Sequence, residues 1–428
     1  MAKLFGTDGA RGIAITELTC ETAMQIGRAA ALVLTKTSHR KPTILIGKDT
    51  RISSDILESA LIAGICSVGA DALTLGVIPT PAVANLILSL KADAGVMISA
   101  SHNSFEFNGI KLFGADGFKL PDKIEEEIEE LVRHEFTLVN GEAVGHIYNQ
   151  IDAFDRYIHS VKTQCSDLSG LKIAVDCANG SATMTAEALF KRLGAEILVL
   201  SDKPNGININ ENCGSTHMGN LQKFVLENRC DAGFAFDGDA DRCLAVDECG
   251  NIVDGDKLLA IIAKENGYSD IVVTVMTNLG FHKFAAENGI NVHTVQVGDR
   301  YVLEEMRREG FKLGGEQSGH IIFYPESTTG DGELTAVKIA EIIKRTGKKF
   351  SQLAAVMTVY PQVLKNVRVS GDVPLPDVTK YEEILGNDGR ILIRKSGTEP
   401  LIRVMLEGKN LDEITRYADE ICEKLVTA

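Results

Sequence analysis

Proline is scarce in this chain, 10 residues in 428, against 40 glycines. That balance argues against disordered or low-complexity segments and for a chain folded through many tight turns between strands and helices. No CxxC pair occurs, and the nine cysteines are scattered, some inside apolar runs as at Cys66 and Cys177. A disulfide scaffold is therefore excluded in favour of small buried thiols in a reducing compartment. No apolar run reaches the roughly 18 residues that a membrane-spanning helix needs. The opening residues MAKLFGTDGARG lack the basic-then-apolar pattern of a secretory leader, and the expected location is cytoplasmic. Positive charge is also short: 44 Lys and Arg against 59 Asp and Glu, a net −15. Such a chain is poorly suited to nucleic acid or an anionic membrane, although a locally basic cleft can still take a small anionic substrate.

What is present is α/β grammar. With 44% hydrophobic and 24% charged residues the composition is that of a globular protein, and its length predicts two to four domains. An apolar strand, a polar turn, an amphipathic helix and a second apolar strand recur three times, over Thr43–Gly76, Leu171–Ser201 and Asp270–Gly298. Strands of this kind, apolar on both faces, belong to parallel sheets. The last quarter reads differently: VLKNVRVSGD, GRILIRKSGTEPLIRVMLEG and LDEITRYADEICEKLVTA predict strand, strand–turn–strand and helix, a small α+β unit with an antiparallel sheet. The segment Lys123–Glu135 predicts a helix whose acidic face is solvated.

Four polar stretches carry chemistry. In FDGDADRCLAVDE, Asp237, Asp239 and Asp241 alternate after the apolar run AGFAF. Three carboxylates so close repel unless a cation holds them, and an all-oxygen ligand set suits Mg²⁺ or Ca²⁺. An EF-hand is rejected, because its sixth position is Arg242 where the turn needs Gly; Arg242 could instead meet a phosphate bound beside the metal. In RKSGTEPLIR, the cations Arg394, Lys395 and Arg403 flank a turn of Ser396, Gly397 and Thr398, the parts of a phosphate cradle. In GGEQSGH, Glu316 and Ser318 alternate. On an extended segment they would point the same way and grip two sugar hydroxyls, with His320 placed to transfer a proton near neutral pH. In MISASHNSFEFNG, three hydroxyls (Ser99, Ser101, Ser104) and a His follow an apolar run. No GxSxG elbow is present, so a hydrolase triad is not indicated. A serine hydroxyl that carries a phosphoryl group beside a divalent ion fits better, and the serine, the metal loop and the phosphate cradle together point to phosphoryl transfer.

In this order the SASHN, DGDADR, GEQSGH and SGTEP stretches resemble the α-D-phosphohexomutases, over essentially the whole chain. The resemblance implies three tandem related α/β domains with mixed, mostly parallel sheets and a smaller C-terminal α+β domain, arranged around a central cleft. The expected boundaries are 1–152 with the serine loop, 153–250 with the metal loop, 251–364 with the sugar loop and 365–428 with the phosphate loop. It implies that Ser101 is the phosphoserine and that Asp237, Asp239 and Asp241 bind one Mg²⁺ together with it. Glu316 and Ser318 would hold sugar hydroxyls, and Arg394, Ser396, Gly397, Thr398 and Arg403 the phosphate that is not reacting. Arg11, Lys111, His320 and Arg242 would bind the reacting phosphate or move protons. FGTDGARG, VGDRYV and GEQSGH are closest to the family's bacterial amino-sugar branch. That implies exchange of glucosamine 6-phosphate and glucosamine 1-phosphate through glucosamine 1,6-bisphosphate, on the way to UDP-N-acetylglucosamine and the cell wall. The expected partner is a small sugar phosphate, with no nucleic acid and no membrane, and a homodimer is left open. Phosphomannomutase or phosphoglucomutase activity, a metal-dependent sugar phosphatase and a non-catalytic sensor are the competing readings. Two departures stand out: Ser104 occupies a place where the family usually has Pro, and Val373–Asp388 is short.

Overall fold

The computed structural model describes residues 4–6, 8–36, 38–369, 373–395 and 401–427. They fall into two compact units, Met1–Val275 with Asn291–Ala355, and Met276–Ile290 with Val356–Ala428.

The first unit carries three sheets. The largest has seven strands in the order Phe5–Gly6, Gly9–Ile13, Phe107–Gly114, Ala94–Ile98, Thr43–Lys48, Asp71–Val77 and Ile147–Asn149. Its strands Ala94–Ile98, Thr43–Lys48 and Asp71–Val77 run parallel, and all five residues of Ala94–Ile98 are buried, as a strand covered on both faces must be. A second sheet of five strands is built on the parallel trio Ala232–Phe236, Lys172–Asp176 and Glu196–Leu200. A third has four strands, with Asn291–Val295, Asp270–Thr274 and Leu313–Gly315 parallel and Ile321–Phe323 returning antiparallel. Each predicted repeat thus forms a parallel strand pair with a helix between. In the third, however, the strands belong to the first unit and the helix Leu279–Glu287 to the second.

Two helices show how the sequence sets the packing of the first sheet. Helix Cys20–Leu34 starts at Thr19, whose hydroxyl accepts the Thr22 N–H at 3.1 Å, an N-cap that satisfies an otherwise orphaned donor. It crosses helix Ser54–Ser67 at Gly27 and Gly64, where a Cβ would stand 2.6 Å from Leu61 O and 2.2 Å from Met24 O. Only hydrogen at both positions allows this approach. The acidic helix runs over Asp122–Val132, but its charged face is not wholly solvated as expected. Glu125 and Glu129 are buried: Glu125 accepts from Arg300 at 2.8 Å and Glu129 from the Leu4 N–H at 3.0 Å. A carboxylate can turn inward when a cation or a strand's free N–H meets it there.

In the second unit Leu401–Gly408 lies between Gln362–Arg368 and Gly389–Lys395, all antiparallel. Ile402, Val404 and Leu406 alternate onto one face and pack against Ile414, Ala418 and Ile421 of helix Leu411–Thr427, the two-residue period of a half-covered sheet. A helix Thr379–Leu385, not anticipated from sequence, fills the short segment. All nine cysteines are free. Among the described residues no helix is long and apolar enough to cross a membrane.

Candidate active site

Lys48 and Ile98 pair in register at the ends of two parallel strands, so the next residues, Asp49 and Ser99, leave the sheet side by side. Strand ends of this kind are where an open parallel sheet presents its loops to a ligand. The Ser99 hydroxyl donates to Asp49 Oδ2 at 2.7 Å and accepts the Ser101 N–H at 2.9 Å. Ser101 itself sits at φ +53°, a left-handed conformation that costs a side-chain-bearing residue roughly 1–2 kcal/mol. Its buried hydroxyl donates to Asp237 Oδ2 at 2.5 Å and lies 3.3 Å from His102 Nδ1. Burial, with Arg242 and Arg11 nearby, pulls the His102 imidazole down to about 4, so at neutral pH it is uncharged.

Strands Ala232–Phe236 and Cys243–Asp247 form a hairpin, and the turn between them carries the three aspartates. Carboxylate oxygens of Asp237, Asp239 and Asp241 lie within 4.8 Å of one another, and all three residues are buried. The flanking strands agree with the rejection of an EF-hand. Lys111 reaches in from the strand Phe107–Gly114 to Asp239 Oδ2 at 2.7 Å, Asp241 Oδ2 at 3.3 Å and Asp8 Oδ2 at 3.2 Å. Thr80 donates to Asp239 Oδ2 at 2.6 Å. Burial alone would lower the Lys111 pKa, but these carboxylates hold it well above the ordinary lysine value. Even so, Asp239 Oδ1 and Asp241 Oδ1 are buried without any hydrogen-bond partner. Orphaned anionic oxygens are costly, and one ammonium does not balance three carboxylates. Burial, with Asp241 and Asp239 alongside, accordingly pushes the Asp237 carboxyl well above its usual range. The donor set is all oxygen, buried and short of positive charge, and it fits a hard divalent cation.

A chain of alternating charges surrounds this cage. Arg11 pairs with Asp8, Asp8 with Lys119 at 2.5 Å, and Lys119 with Asp299 at 2.5 Å. His320 lies between Asp299, 3.4 Å from Nε2, and Asp241, 3.7 Å from Nδ1. Burial opposes its protonation, yet the two carboxylates hold its pKa above the ordinary histidine value. The Gly330 N–H donates to Nε2 at 3.0 Å, a bond open only to the unprotonated nitrogen. Taking up a proton there exchanges that bond for the Asp299 pair, so the ring has two defined states. Arg242 donates its backbone N–H to Asp237 Oδ1 at 3.2 Å and brings Nε to 3.9 Å from Asp241 Oδ1.

The sugar-loop segment differs from its expected form. Residues 316–319 are a hairpin turn, closed by Glu316 N–H to His320 O at 3.0 Å and Gly319 N–H to Glu316 O at 2.9 Å. Gly319 has φ +90°, so the chain reverses and the extended geometry behind the same-face argument does not apply. Glu316 Oε1 accepts the Gly298 N–H at 3.2 Å. Burial, with Asp299 also near, raises the Glu316 pKa although His320 and Arg242 oppose it. Ser318 Oγ is buried without a hydrogen-bond partner. In the second unit Arg394 and Arg403 stand opposite each other in the strand pair, and burial together with Arg403 lowers the Arg394 pKa. Ser396, Gly397 and Thr398 lie outside the described residues.

Sequence reasoning missed Asp8, Asp49, Arg51, Thr80, Lys119, Asn210 and Asp299. A signal existed for two of them: DTR directly follows the strand Thr43–Lys48, a strand-end position like the one that marked Ser101.

Models of the phosphoglucomutase/phosphomannomutase α/β/α domains I, II and III match residues 2–138, 155–250 and 254–360. The model of the C-terminal domain matches 334–424. The phosphoglucosamine mutases of Clostridium novyi and Clostridium acetobutylicum are 50% and 52% identical to this chain, over 99% of it and 99% and 98% of their own lengths. The chain belongs to the α-D-phosphohexomutase family. Among solved structures, a phosphoglucomutase/phosphomannomutase family protein from Burkholderia thailandensis superposes with TM-score 0.83 at 23% identity, covering 98% of both chains. Aspergillus fumigatus N-acetylphosphoglucosamine mutase, in complex with GlcNAc-6P and magnesium, does so with TM-score 0.69 at 18% identity, covering 99% of this chain and 96% of that one. At these identities the likeness is one of fold. In this phosphohexomutase the serine, aspartate and sugar loops all lie within the first compact unit.

Proposed function

We propose that this phosphohexomutase interconverts glucosamine 6-phosphate and glucosamine 1-phosphate, supplying UDP-N-acetylglucosamine and cell-wall synthesis, and that Ser101 is its phosphoryl carrier. The observation that carries the reading is the buried Ser101 hydroxyl, 2.5 Å from an aspartate whose two neighbours each keep an unpartnered oxygen. A hydroxyl so placed can bear a phosphoryl group whose charge the cage, once loaded, offsets. Asp237, Asp239, Asp241 and the Ser101 phosphate would hold one Mg²⁺, which supplies charge neutralisation and polarises the serine P–O bond.

In the forward step a sugar hydroxyl attacks the Ser101 phosphorus. The Ser101 Oγ–P bond breaks, the sugar O–P bond forms, and the hydroxyl proton passes to a base in the cleft. The product is glucosamine 1,6-bisphosphate, which turns over and returns its other phosphoryl group to Ser101. His320 is suited to hold the proton at Nε2, where Asp299 lies 3.4 Å away. Arg11, Lys111 and Arg242 supply positive charge around the transferring group. Glu316 and Ser318 would hold sugar hydroxyls. Arg394 and Arg403, with Ser396, Gly397 and Thr398, would hold the idle phosphate. Two guanidinium groups directly opposite each other in a sheet repel, and a bound phosphate offsets that repulsion. We retain 1–152, 153–250, 251–364 and 365–428 as the working division into domains, and the cytoplasm as the working location.

Intact-mass measurement tests the carrier. The purified enzyme should show the addition of one phosphoryl group, and Ser101→Ala should lose both that addition and turnover. A coupled assay on glucosamine, mannose and glucose phosphates decides the substrate. Preference for mannose or glucose phosphate would overturn the amino-sugar assignment. Steady phosphate release without isomerised product would replace the mutase by a phosphatase.

A further inference from the structure

The serine loop is held by a buried ion pair that touches neither the aspartate cage nor the sugar turn. Asp49 and Arg51 are 1% and 2% exposed. All five N–H donors of the Arg51 guanidinium are engaged. Nε donates to Asp49 Oδ2 at 2.8 Å, Nη1 to Phe107 O at 3.0 Å and to Ser104 O, and Nη2 to Ser101 O at 2.9 Å and Asn103 O at 2.8 Å. No donor remains for a substrate, so Arg51 acts on the loop backbone alone. Asp49 is as fully used: Oδ1 accepts the Arg51 backbone N–H and the Ser54 hydroxyl, both at 3.0 Å, and Oδ2 accepts Arg51 Nε and the Ser99 hydroxyl. Ser99 in turn accepts the Ser101 N–H at 2.9 Å.

Both backbone polar groups of Ser101 are therefore fixed from one pair, the N–H through Ser99 and the carbonyl through the Arg51 fork. Asn210, in the loop that follows the strand Glu196–Leu200, adds a second hold. Its Nδ2 donates to Ser101 O and Asn103 O, each at 2.9 Å. The two amide hydrogens of one side chain and two of the guanidinium thus converge on the same pair of carbonyls. A residue at φ +53° is not held there by its own preference; the surrounding donors must determine it.

We propose that the Asp49–Arg51 pair is the positioning device of the serine loop: through Ser99 and the guanidinium fork it fixes the Ser101 backbone so that the hydroxyl stays aimed at Asp237 through successive phosphoryl transfers. The proposal rests on Ser101 being the phosphoryl carrier. Only a planar, five-donor fork can reach four carbonyls and a carboxylate at once; an ammonium has three donors and no fixed plane. Misplacing a reacting atom by about 1 Å costs on the order of 100-fold in rate.

The test compares Arg51→Lys, Ser99→Ala and Asn210→Gly with the wild type and Ser101→Ala. The Gly substitution suits the left-handed backbone of Asn210, φ +59°, and removes only the amide. Turnover is measured per phosphorylated enzyme, counted by intact mass, so that loss of folded protein does not enter. Arg51→Lys is expected to lower kcat by about 100-fold, and Ser99→Ala and Asn210→Gly by about tenfold or more. KM should stay within twofold, because the hydrogen bonds of all three side chains go to the serine loop and its ion pair. If Arg51→Lys fails to fold, the other two variants carry the test, since both leave the ion pair intact. Wild-type kcat per phosphoserine in Ser99→Ala and Asn210→Gly, with Ser101→Ala inactive, overturns the positioning role alone. So does a loss confined to KM. Full activity in Ser101→Ala overturns the carrier reading beneath it.

Discussion

Replacing Lys111 with Met removes the one ammonium that sits among the caged aspartates, and the consequences have opposite signs for the empty and the loaded protein. The contacts of 2.7, 3.3 and 3.2 Å to Asp239, Asp241 and Asp8 correspond to about 6, 5 and 5 kcal/mol of gross Coulomb attraction at an effective dielectric of about 20. Most of this is cancelled by the cost of stripping water from the ions, and breaking one buried partner out of such a group nets about 3–5 kcal/mol. Metal-free Lys111→Met should therefore be destabilised by roughly that amount.

Metal affinity should move the other way. In the wild type a divalent ion held by the three aspartates would have to enter beside an ammonium that already pairs with two of them. If less than a tenth of the gross interaction persists as cation–cation repulsion, about 1.4 kcal/mol, removing the ammonium tightens binding tenfold. Calorimetric titration with Mg²⁺ or Mn²⁺ should show at least that decrease in Kd, while turnover falls. Asp239→Asn is the control, and it should weaken binding by more than the roughly 10–100-fold that loss of an outer-shell partner costs. An unchanged or higher Kd in Lys111→Met would refute the account of the cage as a site short of positive charge.

Three further outcomes follow from particular contacts. Burial raises the Asp331 carboxyl to about 6, so the folded state binds this proton more tightly than the unfolded chain. The stability it contributes is complete below about pH 4 and is lost as pH rises through about 6, a swing of roughly 3 kcal/mol. Asp331→Asn should flatten the urea-denaturation profile over that window. Gly64→Ala places a methyl group 2.2 Å from Met24 O and should lower stability by about 1–3 kcal/mol, read from the denaturation midpoint. If Arg403 belongs to the proposed phosphate cradle, Arg403→Ala removes one charge-assisted contact worth about 1.5–3 kcal/mol, and should raise KM about 10–100-fold while leaving Ser101 phosphorylated by intact mass.

The legible parts of the site are those whose chemistry is local. Asp237, Asp239 and Asp241 stand within five residues of one another after an apolar strand, so their crowding is written in the chain itself. Ser101 shows in the same way, in the polar run that begins directly after a buried strand. The sugar turn was misread because alternation over four residues presumes an extended backbone, and one glycine at φ +90° reverses it. The third repeat was read correctly as strand, helix and strand, but nothing local tells that its helix packs with the second unit. Lys119 and Asp299 are 180 residues apart in the chain and 2.5 Å apart in space; Asp299 stands in the VGDRYV stretch, but nothing there points to Lys119. Glu125 and Glu129 look like surface acids because the groups that neutralise them, Arg300 and the Leu4 N–H, come from distant segments.

Ser104 gives the sharpest trial of how the loop is held. The family resemblance places Pro at this position, where a fixed φ would stiffen the segment by limiting what the free chain can sample. Here the carbonyls on either side of it are gripped instead, Asn103 O by both Arg51 and Asn210, and Phe107 O by Arg51. Stiffening by ring and stiffening by hydrogen bonds are substitutes, so adding one where the other is complete should do little. Ser104→Pro in the wild-type background is expected to leave kcat within twofold. In the Asn210→Gly background, where two of the six hydrogen bonds to the loop's carbonyls are gone, the same substitution should recover a several-fold part of the lost turnover per phosphoserine. Equal effects of Ser104→Pro in the two backgrounds, measured as a double-mutant cycle, would mean that the loop's conformation does not limit the reaction.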